Sequence, residues 1–225
     1  MSRRCANLTL DNLDDLPHRC RGCVFWELDP AAREAAEAAG DVALEKEAWL
    51  SNTLLDWGSC GMIVYVDSLA AGYVTYAPPV HVPRSLAFPT SPVSADAVLL
   101  MTARLLPEFG GGGLGRMLVQ NAAKDLTRRG VRAIEAFGRV GGPDQEHADP
   151  DQPGSKHTGK EQAREGCVVP ADFLLAVGFK TIRPHHRYPR LRLDLRNALS
   201  WREDMEVALE RLLGSMNPEP AFRPV

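Results

Sequence analysis

Apolar positions in the middle of the chain follow first a strand pattern, then a helix pattern, then a strand pattern again. Residues 98–106 are almost uniformly apolar, and Pro107 ends this run because proline has no N–H for a sheet ladder. After a glycine-rich stretch, apolar side chains recur at helical spacing up to Leu126, and 131–137 is again strand-like. The pattern predicts a strand, a glycine loop, a helix and a second strand. Apolar positions that share one helix face are Leu114, Leu118, Ala122 and Leu126.

The same criteria predict further elements on both sides of this unit. In the predicted helix at 41–57, Leu44, Ala48 and Leu55 share one side, which we expect to pack. We expect one domain over 1–197, a flexible loop at about 139–166 where apolar residues are scarce, and a C-terminal helix and tail over 198–225. Strands are predicted at 6–10, 60–66, 70–76, 181–183 and 188–195, and helices at 30–39, 41–57, 171–177 and 201–213.

Composition narrows the class of protein. The 225 residues are 44% hydrophobic and 24% charged, as in an ordinary globular domain. A net charge of −3 argues against nucleic acid as the main partner. There is no apolar run of about 18 residues, so we expect no membrane span. The basic N-terminus has no apolar segment behind it and does not resemble a secretory signal, which predicts a cytoplasmic protein.

The glycine run at 110–113 has the sequence of an anion site. A glycine loop that opens a helix lets several backbone N–H groups approach a phosphate, and the helix dipole favours the negative charge. A P-loop is excluded because Gly115 is followed by Arg116 and Met117 instead of Lys and Ser or Thr. A dinucleotide fingerprint matches by letters alone, but the next strand carries Glu135 inside it instead of ending on an acid.

The segment resembles the acyl-CoA binding motif of the GNAT N-acyltransferase superfamily, Q/R-x-x-G-x-G/A. The motif falls on Gly110, Gly113 and Gly115, with Gly110 in place of the usual Gln or Arg. This resemblance implies an α/β (α+β) fold with a mixed, mostly antiparallel sheet flanked by helices. The strands at 98–106 and 131–137 would be parallel, because a helix connects them.

The resemblance also implies how acetyl-CoA, or another short acyl-CoA, would be held. The strand end at Leu105 and Leu106 would hydrogen-bond the pantetheine arm, and N–H groups near Leu106 would polarise the thioester carbonyl. Arg116 is the candidate for the charge that Gly110 does not supply. The amides that would surround the pyrophosphate belong to Gly110, Gly111, Gly112, Gly113, Leu114, Gly115 and Arg116.

A second GNAT signature is matched in part by residues 173–179. Phe173, Gly178 and Phe179 fit it, whereas Leu174 occupies the position of the tyrosine that commonly protonates the leaving thiolate. The predicted general acid is therefore Tyr188, with His185, His186 or water as alternatives.

The candidate base is a carboxylate, or a water held by one, which can accept a proton from the attacking amine. Glu135 would lie on the strand beside the thioester. Glu27 would face the acceptor, together with Trp26, if the segment after the first helix forms the pocket wall.

Cys20 and Cys23 form a C-x-x-C pair that allows three interpretations: half a zinc site, a redox pair, or two packed thiols. A structural zinc site needs further ligands, and those available are scattered: Cys5, His18, Cys60 and His81. The odd number of cysteines and a reducing compartment favour thiols that are reduced and bind no metal, on the wall leading to Trp26 and Glu27.

Taken together, these patterns predict an enzyme that transfers an acetyl or short acyl group from coenzyme A to an amine. The acceptor would be a small molecule or a peptide, and a homodimer stays open. The alternative is a non-catalytic acyl-CoA-binding sensor or partner-binding protein, because two motif positions depart from the family pattern.

Overall fold

A computed structural model describes residues 2–141 and 166–195, and these form one mixed sheet with helices on both faces. The seven strands in this part of the chain lie in the order β1-β2-β3-β4-β5-β7-β6. All neighbouring pairs are antiparallel except β4 and β5, so the predicted fold class is confirmed. The strands are β1 (Arg3–Asn7), β2 (Gly61–Val66), β3 (Leu69–Ala77), β4 (Ala97–Leu105), β5 (Ala133–Phe137), β6 (Lys180–Arg183) and β7 (Arg190–Asp194).

Four of the described helices lie close to where they were predicted, whereas a short helix at His18–Arg21 was not predicted. Asp29 caps the start of α2 by accepting hydrogen bonds from two backbone N–H groups, and Gly40 follows its end in a left-handed conformation. The described helices are α1 (His18–Arg21), α2 (Pro30–Ala39), α3 (Val42–Asp56), α4 (Leu114–Arg128) and α5 (Ala171–Ala176). Within the described residues no helix is long and apolar enough to cross a membrane.

The buried side of α3 differs from the prediction. Leu44 and Leu55 are 64% and 81% exposed, whereas Trp49, Leu50 and Lys46 are buried. In this orientation Trp49 and Leu50 pack in the core, and Lys46 forms an ion pair beneath the helix with the equally buried Glu27. Hydrophobic spacing alone cannot anticipate a buried charge of this kind.

The first strand also lies earlier than predicted, because β1 ends at Asn7. The N–H of Thr9 donates to Asn12 Oδ1 at 2.8 Å, and this contact begins a 3-10 turn over Leu10–Asp15. The hairpin between β2 and β3 lies where it was predicted, and its turn places Asp67 and Ser68 at positive φ.

The central strands separate beyond a short parallel ladder. β4 and β5 pair only from Ala97 opposite Ala133 to Leu99 opposite Glu135. β4 then continues to Leu105 along β3, while β5 continues along β7. The register of β4 on β3 shifts so that Met101 is an extra residue, a bulge that bends a strand. The two strands therefore leave an opening in the sheet beyond Leu99.

Two apolar layers cover the sheet. On one face, α4 packs over β2, β3 and β4, with Leu118, Ala122 and Leu126 fully buried. The other face is covered by the N-terminal segment and α3, and its centre contains Trp26, Phe88 and Phe137. The predicted C-terminal helix and most of the predicted loop at 139–166 lie outside the described residues.

Candidate functional site

The glycine loop forms a bare helix N-terminus. Gly111 and Gly113 have φ of 77° and 75°, a region that side chains with a Cβ disfavour. Gly113 is the N-cap of α4, and none of the described side chains caps this end. The N–H groups of the first turn, at Leu114, Gly115 and Arg116, have no acceptor within the helix. Together with the dipole of α4, these groups form a cradle suited to an anion.

Two members of the predicted cradle have partners inside the protein. The N–H of Gly110 donates to Pro107 O at 3.1 Å, so it closes a 3-10 turn instead of facing an anion. Arg116 donates through Nη2 to Ala176 O at 2.8 Å and thereby ties α4 to the end of α5. A second guanidinium approaches the loop, because Arg3 Nη1 lies 3.4 Å from Gly112 O.

The backbone contacts at the end of β4 contradict the role predicted for the N–H of Leu106. Its N–H donates to Ala71 O at 2.9 Å, and its carbonyl accepts from Phe109 N at 3.0 Å, so this N–H is not available to polarise a thioester. Leu105, opposite Gly72, is the preceding residue of the antiparallel ladder. Because bonding direction alternates along such a strand, the N–H and C=O of Leu105 point away from β3, towards the opening in the sheet.

A cavity of about 610 Å³ lies at this opening. Its wall combines the second half of β4 with the α1 region and with the segment before α5. Three arginines and three cysteines line it, and none of its described lining residues carries a carboxylate. The lining residues are Arg19, Cys20, Cys23, Thr102, Ala103, Arg104, Leu105, Arg139, Gly166, Cys167, Val168, Val169 and Pro170.

Glu135 does not have the surroundings of a general base. Its side chain is completely buried and accepts from Arg190 Nη1 at 2.9 Å and Arg192 Nη1 at 3.2 Å. It also accepts from the backbone N–H of Ser94 at 3.1 Å. Three donors occupy its oxygens, so Glu135 holds the sheet together. The expectation that Glu135 faces the thioester is therefore wrong.

Glu27 is likewise part of the structure and does not line the pocket. It is 4% exposed, pairs with Lys46 Nζ and accepts from the N–H of Trp26 at 3.1 Å. Trp26 is also buried and stacks on Phe88 with ring centroids 5.1 Å apart. The prediction that Trp26 and Glu27 face the acceptor is corrected, since a carboxylate so deep needs a paired cation.

The predicted acids lie in the turn between β6 and β7. The ring of Tyr188 packs edge-on against Phe88, with centroids 5.4 Å apart, and Tyr188 is not among the described residues that line the cavity. His185 Nδ1 accepts from the N–H groups of Arg187 and Tyr188. Burial and the neighbouring His186 lower the pKa of His185. His185 therefore stabilises this turn as a neutral imidazole.

The two GNAT-like motifs meet in space. An added Cβ on Gly115 would lie 3.1 Å from the ring of Phe173, so glycine permits α5 to approach the start of α4. Leu174 is completely buried and Phe179 is 2% exposed, and both belong to the apolar layer under α4. Leu174 therefore packs where the family pattern would have a tyrosine.

Cys20 and Cys23 both line the cavity, and the partner of Cys23 comes from far along the chain. Cys23 Sγ lies 3.5 Å from Cys167 Sγ, and Arg104 Nη1 lies 3.4 Å from Cys20 Sγ. Cys5 instead accepts from Asn121 of α4. Burial raises the pKa of Cys60 to about 12. Sequence reasoning missed Cys167, because nothing in the local pattern joins residues 144 positions apart.

Comparison with known proteins finds solved structures that resemble this chain but no match at the level of sequence. No protein-family model matches the chain, and no curated protein matches it. The chain is similar to the PaiA N-acetyltransferase from Thermoplasma acidophilum solved in complex with coenzyme A, with 13% identity, a TM-score of 0.51, and coverage of 86% of this chain and 99% of that one. It is also similar to the loading GNATL domain of CurA from Lyngbya majuscula, with 13% identity, a TM-score of 0.50, and coverage of 88% and 100%. The chain therefore has the fold of the GNAT N-acetyltransferases.

Proposed function

We propose that this protein transfers an acetyl or short acyl group from coenzyme A to an amine. The main support for this proposal is that a helix N-terminus, an open strand edge and a cavity follow one another without a break. The bare N-terminus of α4 leads to the open edge of β4 at Leu105, and this edge forms one wall of the cavity. A phosphate group, an extended arm and a reacting thioester would occupy these three places in turn.

Each part of acyl-CoA has a matching group on this chain. The amides from Gly111 to Arg116 would bind the pyrophosphate, since they combine N–H donors with a helix dipole. The outward N–H and C=O of Leu105 would bind the amides of the pantetheine arm. Coenzyme A in the PaiA N-acetyltransferase supports this proposal, because that protein shares the fold.

The charge of the cavity suggests the class of acceptor. Arg19, Arg104 and Arg139 all line it, and the described lining holds no carboxylate to offset their positive charge. A cavity of this charge repels a simple ammonium ion and attracts anions. We therefore propose an acceptor that carries a carboxylate or phosphate beside its amine, either as a small molecule or as an acidic peptide.

A second candidate is a protein that binds acyl-CoA without turnover. Two observations favour it: Glu135 and Glu27 are both held in buried ion pairs, and Leu174 replaces the usual tyrosine. Under this alternative the cavity would hold an acyl group as a signal.

Release of free thiol from acetyl-CoA separates these two functions. We expect release above the hydrolysis background with amines that carry a carboxylate or phosphate, and weaker release with their uncharged esters. Tight binding of coenzyme A by calorimetry without amine-dependent release would favour the sensor. Absence of both binding and release would contradict acyl-CoA chemistry altogether.

A further inference from the structure

Three cysteines line the cavity although they come from two distant parts of the chain. Cys20 lies in α1, Cys23 follows it, and Cys167 lies in the segment before α5. Trp26 Nε1 and Thr102 Oγ1 both donate to the carbonyl of Cys167, at 3.0 Å and 3.4 Å. These two hydrogen bonds hold the backbone of Cys167 against Trp26 and against β4.

Of the two sulfurs in contact, Cys23 is the one suited to be a thiolate. Its sulfur lies 3.5 Å from that of Cys167, and the backbone N–H of Phe25 and the ammonium of Lys46 both favour a negative charge on it. These contacts lower the pKa of Cys23 to about 7, although burial and Glu27 act in the opposite direction. The pKa of Cys167 is raised, because its proton is shared with Cys23 and because it is buried.

The thiol pair also lies along the strand that would carry the pantetheine arm. Leu105, at the end of β4, and Thr102, which donates to the carbonyl of Cys167, both line the cavity and are three residues apart. At about 3.3 Å per residue this is roughly 10 Å. An extended arm that enters at Leu105 would bring its terminal thioester towards Cys23 and Cys167.

Direct attack by an amine needs a base, and the described cavity lining offers no carboxylate for that role. Glu135 has three donors around it, and Glu27 is paired with Lys46. A cysteine thiolate needs no separate base, because it is the nucleophilic form already.

We propose that Cys23 is a catalytic nucleophile that takes the acyl group from coenzyme A as a thioester and passes it to the amine, while Cys167 holds the proton that is exchanged. The inference rests on the proposed acyl transfer. It assigns to this site a covalent step in place of direct attack by the amine.

The two half-reactions balance. In the first, the Cys23 thiolate forms a bond to the acyl carbon, the bond from that carbon to the coenzyme A sulfur breaks, and the leaving sulfur takes the proton of Cys167. Arg104 lies close enough for its positive charge to favour the resulting Cys167 thiolate. In the second, a neutral amine attacks the acyl carbon, its proton passes to Cys167, and Cys23 leaves as the thiolate.

Trapping the acyl group tests this directly. Reduced protein is mixed with labelled acetyl-CoA without an amine, quenched in acid and digested with trypsin. Cleavage after Arg21 and Arg33 isolates Cys23 in peptide 22–33, apart from Cys20, and Cys167 lies in peptide 165–180. We expect a burst of free coenzyme A and a label, removable by hydroxylamine, on peptide 22–33.

Matched variants complete the test. Cys23→Ala should lose the burst and the label and lower turnover by about a hundredfold or more, while its affinity for coenzyme A stays unchanged. Cys5→Ala is the control, since Cys5 is on β1 and bonds to Asn121, outside the cavity lining. It should retain burst, label and turnover.

The outcomes that overturn the proposal are distinct from failure of the proposed function. Amine-dependent turnover with no label on Cys23 in the wild type, or full turnover in Cys23→Ala, would show direct attack and leave acyl transfer standing. A Cys23–Cys167 disulfide without any acyl adduct under reducing conditions would show a redox pair instead. Absence of coenzyme A binding and thiol release in every variant would end both proposals together.

Discussion

Charged residues of opposite sign are separated around the cavity. Arg19, Arg104 and Arg139 line it, whereas Glu135 and Glu27 lie behind it in ion pairs. Carboxylates in a strand and in a buried segment resemble catalytic bases in the sequence, and only their partners show that they hold the fold together. Among the described lining residues, the thiols are the groups that can act as nucleophiles at neutral pH.

The reactivity of Cys23 should depend on pH in a way that Cys60 does not share. Since the thiolate is the reactive form, alkylation by iodoacetamide should rise with pH and be half-maximal near the pKa of about 7. The titratable groups that act on Cys23 include Cys167, Glu27, Lys46 and Tyr73. Peptide mapping against pH measures the profile, and Cys60, buried with a pKa of about 12, should remain unlabelled.

Replacing Cys167 tests what lowers the pKa of Cys23. Cys167→Ala should move the midpoint for Cys23 upward, towards the ordinary value of 9.0, because a hydrogen bond to the thiolate is lost. A midpoint that stays near 7 would assign the shift to Phe25 N–H and Lys46 instead.

Glu135 should matter for stability. Glu135→Ala leaves Arg190 buried without its carboxylate, which should lower the free energy of unfolding by about 3 to 5 kcal/mol in a denaturant titration. Asp194→Ala is the control, because Asp194 is half exposed beside Arg192 and should cost less than about 1 kcal/mol. Unchanged stability with abolished turnover would restore Glu135 as a base.

At the scale of elements, the N-terminus of α4 is the part of the fold that the proposed function needs most. Gly113 and Gly130 lie at opposite ends of this helix, at φ of 75° and 77°, and an added Cβ would meet nothing within 4 Å at either. They therefore form a matched pair that differs in position relative to the proposed phosphate site.

Gly113→Ala should lower the affinity for coenzyme A by about tenfold or more, a loss of about 1.4 kcal/mol, because a Cβ disfavours the left-handed conformation that orients the amides of the cradle. Gly130→Ala should cost a similar 1 to 2 kcal/mol of stability, roughly the strain of a left-handed residue, without changing affinity. Calorimetry measures both. Equal affinities in the two variants would refute the site at the glycine loop.

The ion pair under α3 should couple Lys46 of this helix energetically to Glu27, which lies in the segment before α2. Lys46→Met alone leaves the Glu27 carboxylate buried and unpaired, and should cost about 3 to 5 kcal/mol of unfolding free energy. The double variant Glu27→Gln, Lys46→Met removes both charges and should recover most of that loss. Additive costs in a denaturant double-mutant cycle would mean that the two residues do not act as a pair.

For the whole molecule, coenzyme A should stabilise the fold in proportion to its binding. At a hundred times its dissociation constant it should add about 2.7 kcal/mol. For a domain of this size that corresponds to an increase in Tm of roughly 5 to 10 °C. Pantetheine at the same concentration should give a smaller shift, because it lacks the pyrophosphate. Equal shifts in a thermal melt would argue against the cradle.

The sequence by itself determined the elements and the central unit. Spacing of apolar residues located β4, α4 and β5, and the connection through a helix required their parallel pairing, which the structure confirms. Glycines at 111 and 113 signalled a backbone that other residues disfavour. These features depend on neighbours along the chain, which is why a single sequence sufficed.

Tertiary structure alone decided which side chains meet. It rotated α3 so that Lys46 is buried, it surrounded Glu135 with two arginines, and it brought Cys167 to within 3.5 Å of Cys23 across 144 positions. Such contacts depend on how strands and helices pack, and the same local pattern is compatible with many partners. The anion cradle was therefore foreseeable from residues 110–116, whereas the thiol pair at the opening between β4 and β5 depended on the complete fold.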